Sequence, residues 1–159
     1  MRTAIESSGR PWYSVCPAGQ LIRTARPNPA GAKEALEYQN GSVTILRNLN
    51  ETNTLDNVFR RHLAAGLVLN GELQELAGDS KSGLARHTEA QSLVEELLGE
   101  ADLSDSDRRE CRRISARGWT GTAGLHERAG PGRRDDTVSA LTKAYADWEF
   151  SPVEDPADQ

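Results

Sequence analysis

Asn40-Gly41-Ser42-Val43-Thr44-Ile45-Leu46 is the stretch on which the reading of the fold turns. Asn-Gly is a common helix stop. The five residues after it are uncharged, and Val43, Thr44 and Ile45 are β-branched, which predicts a strand over 42–46. Upstream, Trp12, Tyr13 and Val15 are strand formers, Pro17-Ala18-Gly19 is turn material, and Gln20-Leu21-Ile22 resumes the strand. Residues 12–24 therefore read as a hairpin. Pro27-Asn28-Pro29 ends that hairpin and opens a helix, with Asn28 as cap and Pro29 at the first helical position. The helix runs through Ala32, Ala35, Leu36 and Tyr38 to Asn40-Gly41. The expected N-terminal unit is β-β-α-β, a small sheet with one helix over one face.

Downstream the period changes. From a cap at Thr54, the apolar residues Leu55, Val58, Phe59, Leu63 and Leu67 recur every three or four positions, as on one helix face. Leu73-Gln74-Glu75-Leu76-Ala77 is helix-forming as well. Thr88 and Gln91 have capping-box spacing ahead of Leu93, Val94, Leu97 and Leu98, and Gly99 stops that helix. Leu103, Cys111 and Ile114 share a face of a helix from about 104 to 117, ended by Gly118. Residues 118–134 hold five glycines and little periodicity, and read as a flexible Gly/Arg-rich loop. A last helix over 135–150, capped by Asp136, aligns Val138, Leu141, Tyr145 and Trp148 on one stripe. The expected class is α+β: five to six helices, the small N-terminal sheet, and a disordered acidic tail over 151–159. Residues 1–117 are expected to form one compact domain, and the helix over 135–150 to pack on that domain or on a partner.

Composition bounds the function. Leu, Ile, Val and Phe together make 30 of 159 residues, at the thin end for a packed core. No stretch approaches the ~20 apolar residues of a membrane-spanning helix. Charged Arg2, Glu6 and Arg10 leave no apolar secretory segment at the start, so a cytoplasmic location is expected. Cys16 and Cys111 are too few and too far apart for a disulfide scaffold.

Charge falls in blocks. Residues 70–107 carry ten acids against Lys81 and Arg86, and residues 108–134 carry eight arginines against Glu110 and Glu127. From Asp135 onward seven acids oppose Lys143 alone. Such alternation favours pairing between faces of one chain, or between chains, over a single steering field.

Two patterns suggest nucleic acid or another polyanion. Leu73 to His87 resembles a helix-turn-helix: Gly78 suits the turn, and Leu73, Leu76, Ala77, Ser80 and Leu84 suit helices that cross. Gln74, Asp79 and His87 depart from the motif. The resemblance implies that Lys81 and Arg86 contact phosphate and base. The second pattern is the arginine helix, where Arg108, Arg109, Arg112, Arg113 and Arg117 oppose the apolar Leu103, Cys111 and Ile114. Arginines near Trp119 suit a phosphate backbone or a stacked base. Against both stands the excess of acids over 70–107, since duplex binding is dominated by phosphate neutralisation.

Signals for catalysis are sparse. Gly118-x-x-Gly121-x-x-Gly124 lacks the preceding strand and the Lys-Ser/Thr ending of a nucleotide loop. His62, His87 and His126 have no metal-pair spacing, and Glu95, Glu96, Glu100 and Asp102 have the spacing of a solvated helix face. No cofactor and no metal are expected. Cys16, beside Pro17, is a nucleophile only if a histidine lies near it; Cys111 shares the apolar face of Ile114. The sequence thus points to a non-enzymatic binding or assembly protein, with a protein partner or a second copy as its target. A nucleic-acid-associated regulator or phage-type accessory protein is the sharper version. A small enzyme built on Cys16 or a histidine is the alternative.

Overall fold

The computed structural model describes residues 29–53 and 56–149, together with the backbone of 13–15 and 21–23. Helix makes up 89% of the interpretable residues. The described residues form five helices: α1 (Pro29–Thr52), α2 (Asn57–Leu76), α3 (Ser80–Leu98), α4 (Asp105–Arg128) and α5 (Arg134–Glu149), with a 3₁₀ turn at Pro131–Arg133 before the last.

The expected β-β-α-β sheet is not formed, because residues 42–46 lie inside α1. Tyr13–Val15 and Leu21–Arg23 pair as a short antiparallel ladder, with no third strand beside them among the described residues. The reason lies in a longer period than the five residues show. Ala32, Leu36, Gln39, Val43 and Leu46 recur at helical spacing, and Ala32 and Val43 are buried. Gln39 Nε2 donates to the Gly66 carbonyl across to α2 at 3.0 Å. The β-branched and hydroxyl residues are accommodated within the helix: Thr44 Oγ1 donates to the Asn40 carbonyl at 2.9 Å, and Ser42 Oγ to Tyr38 at 3.2 Å.

Capping sets the remaining boundaries. Thr54 lies outside the described residues; the cap of α2 is Asp56, which accepts from the Val58 amide at 2.9 Å. At its other end Gly78 (φ +92°) closes a Schellman turn, with its amide on the Glu75 carbonyl and that of Asp79 on Gln74. Asp79 then caps α3, accepting from the Ser82 amide and hydroxyl. Helix α3 runs on without a second start, since Thr88 donates to the Leu84 carbonyl instead of capping. Ser104 caps α4 and exchanges a second hydrogen bond with Asp107.

The segment 118–134, expected as a loop, continues α4 through Arg128. Two of its glycines, Gly118 and Gly121, fall where a neighbouring helix comes too close for a side chain. Helix α5 starts at Arg134, two residues before the expected cap. The tail 151–159 lies outside the described residues.

Successive helices run antiparallel. Asn70 of α2 donates to Asn40 of α1, Arg60 at the start of α2 pairs with Glu96 and Glu100 at the end of α3, and Gln91 of α3 bonds Ser115 of α4. Helix α2 is central, packing against α1, α3 and α4, while α5 packs on α4 alone. The core joins Val43 of α1 and Leu63, Ala64, Leu67 and Val68 of α2 to Ala90, Val94 and Leu97 of α3, and to Leu103, Cys111 and Ile114.

A Cβ at Gly41 meets nothing within 4 Å. In a helix interior Gly41→Ala is therefore expected to raise the unfolding free energy by about 0.5–1 kcal/mol. Urea denaturation checks it. A loss of stability would restore the helix–turn–strand reading, in which this glycine ends the helix.

Candidate functional site

The seven basic residues singled out from sequence do not converge. Helix α3 spans about 28 Å at the helical rise per residue, so Lys81 in its first turn and Arg108 in the first turn of the antiparallel α4 stand at opposite ends of the bundle. Arg108 is half-buried and donates to the Leu98, Glu100 and Leu103 carbonyls, closing the α3–α4 connection. Arg117 forms a bidentate pair with Glu72 of α2, both contacts at 2.6 Å. That hydrogen bonding raises the guanidinium pKa further above its ordinary value. Arg86 pairs at 2.9 Å with Glu89, which also holds Arg47 of α1. Arg113 pairs with Glu110 at 3.4 Å. Arg109 and Arg112 are half-buried and each makes an interaction of its own. Lys81 is exposed beside Asp79.

The likeness to a DNA-reading helix-turn-helix is corrected by the same geometry. A recognition helix must stand across its partner to enter a groove, whereas α2 and α3 lie side by side from the Gly78 turn to the Arg60–Glu100 pair. Asp79 departs from the motif because it is the α3 cap.

The sequence reading passed over a buried polar cluster where α2, α3 and α4 meet. His87 is 0% exposed. Its Nε2 lies 2.8 Å from Glu75 Oε1, and Arg128 holds the other carboxylate oxygen. A carboxylate only accepts, so the proton sits on Nε2, and among the described residues Nδ1 has no partner. Glycines make room for the ring. A Cβ at Gly121 would lie 2.5 Å from Nε2, and one at Gly71 would lie 2.8 Å from Cε1. One layer along, Gly118 admits Gln91, whose amide donates to the Ser115 carbonyl at 3.0 Å and accepts from its hydroxyl at 2.9 Å. A signal existed in the sequence. His87 and Gln91 continue the face of Val94 and Leu97, and Gly118, Gly121 and Leu125 continue that of Cys111 and Ile114.

This arrangement joins three helices. Among the described residues no group of three or more His, Cys, Asp and Glu is placed to hold a metal. Burial pushes the Cys111 thiol up and away from thiolate. His62 is exposed, and Cys16 lies outside the described residues. No helix among them is long and apolar enough to cross a membrane.

Helix α5 presents an apolar stripe outward. Helix α5 turns Ala140 and Ala144 onto α4, and Lys143 Nζ sits 4.2 Å above the Trp119 ring. Its second stripe, Val138, Leu141, Tyr145 and Trp148, is between 49% and 67% exposed. No family model, curated protein or solved structure matches this chain.

Charge at the helix junctions gives the fold a pH dependence. The backbone hydrogen bond from Ser82 holds the Asp79 carboxyl below its ordinary value of 3.8, and the hydrogen bond from Arg60 holds Glu100 below 4.5. Both groups therefore stabilise the fold fully above those ordinary values, and that contribution is lost as pH falls through the lowered ones. Glu100→Gln is expected to lower the urea midpoint at pH 7, with the gap to wild type narrowing as pH falls below 4.5. A gap that stays constant with pH would contradict the assignment.

Proposed function

We propose that the chain is a non-enzymatic assembly protein that docks a protein partner through α5. One observation carries this reading. Four large apolar side chains at helical spacing, Val138, Leu141, Tyr145 and Trp148, stay in water on a helix whose other face is already packed on α4. Scattered exposed apolar residues are normal, but a contiguous stripe with two aromatics is the composition of a binding surface. Tyr38 and Ile45, exposed on α1, are seven positions apart with Gly41 and Ser42 between them, and form a thinner patch.

The polyanion reading has less support. Four of the seven candidate cations, Arg86, Arg108, Arg113 and Arg117, are engaged by carboxylates or carbonyls of this chain. Releasing them to phosphate would sacrifice those contacts, and the net charge of −5 opposes binding to a polyanion at long range.

A photo-crosslinking residue at position 141 or 145, in cells that express the chain, is expected to form discrete protein adducts identified by mass spectrometry. At exposed position 139 it is expected to form none. Elution of the purified protein from heparin is expected to be unchanged by Arg112→Glu/Arg113→Glu. Absence of adducts at 141 and 145, with salt-sensitive heparin retention lost in the charge-reversed variant, would overturn the proposal in favour of the nucleic-acid reading.

A further inference from the structure

We infer that the partner at α5 is a second copy of this chain, docked antiparallel along the same stripe; this rests on the docking reading above and narrows it. The argument is one of register. Arg134, Val138, Leu141, Tyr145 and Trp148 follow one another at intervals of four, three, four and three, so all five share one face of α5. Read backwards, the order of intervals is three, four, three, four, which is the same pattern displaced by at most one residue.

When two copies of α5 are laid antiparallel with the two-fold axis at Leu141, Leu141 meets Leu141. Val138 then meets Tyr145 in both directions, and Arg134 meets Trp148. The patch is complementary to itself, as an isologous interface requires.

Charge fixes the direction. Arg134 is exposed at the start of α5 and Glu149 at its end, about 22 Å apart at the helical rise. In the antiparallel pair each Arg134 comes over the partner's Trp148 face and beside its Glu149, a cation on an aromatic ring next to a carboxylate. A parallel pair would set Arg134 on Arg134 and Glu149 on Glu149. Lys143 does not interfere, since it is turned back onto Trp119 of its own chain. With four apolar side chains from each copy, the interface belongs to the small class, and association depends on concentration across the micromolar range.

The test is the mass of the purified full chain by sedimentation equilibrium over that range. Wild type is expected to pass from one to two copies. Leu141→Glu leaves the Ala140 and Ala144 face intact, keeps its helical circular dichroism, and is expected to stay at one copy. Arg134→Glu and Glu149→Arg are each expected to weaken self-association at least tenfold, and mixing the two variants is expected to restore a dimer containing one of each. A monomeric wild type at the highest concentration overturns the inference. So does a dimer indifferent to Leu141→Glu, or a failure of the two charge variants to rescue each other. If the purified chain is monomeric while crosslinks at position 141 reach a different protein, the second-copy assignment falls and the docking reading stands. If neither association is found, both fall.

Discussion

The bundle depends on one close approach, where α2, α3 and α4 come together without side chains at Gly71 and Gly121 and the His87 imidazole fills the gap. The ring touches both glycines and donates its Nε2–H hydrogen bond to Glu75. Glu75 in turn holds Arg128 near the end of α4. A buried polar ring with an unpartnered Nδ1 is costly. It is tolerated because tight packing on three sides and a charge-assisted hydrogen bond offset that cost. The consequences reach outward. The approach draws α4 along α3 through Gly118, keeps it helical through a glycine series that would otherwise be a loop, and so carries it far enough to support α5.

Ion pairs decorate this arrangement without driving it. Arg60, Arg61 and Arg108 gather around the α3–α4 connection, while Arg117 and Arg128 reach back to Glu72 and Glu75 on α2. Exposed pairs of this kind contribute little each, typically under ~1 kcal/mol. They also engage much of the basic surface that would otherwise attract a polyanion. Helix α5 adds an exposed apolar stripe, and because of it the proposed function rests on hydrophobic docking more than on charge.

Much of the helical body was legible in the sequence. The period of Leu63 and Leu67, the helix beginning near 104 and the stripe from Val138 to Trp148 are all local signals, and local signals survive folding. Two misreadings share a cause. Ser42–Leu46 looks like a strand when five residues are weighed alone, yet Val43 is locked into a period that begins at Ala32. Likewise Gly118 and Gly121 look like a loop until they are placed on the face of Cys111 and Ile114. In both places tertiary packing overrode propensity. The arginine block was visible, but its partners were not, because Glu72 and Glu75 lie more than forty positions away in sequence. The His87 cluster was hidden for the same reason: a histidine and a glycine announce a joint only once their helices are side by side.

The joint is tested most directly by a double-mutant cycle between His87→Ala and Gly121→Ala, read by urea denaturation. In the wild-type background a methyl at 121 collides with the imidazole, and a loss of about 1–3 kcal/mol is expected. With the ring removed, the same methyl enters the vacated space and gains helix propensity, so Gly121→Ala is expected to become neutral or stabilising. An equal cost of Gly121→Ala in both backgrounds would contradict the account.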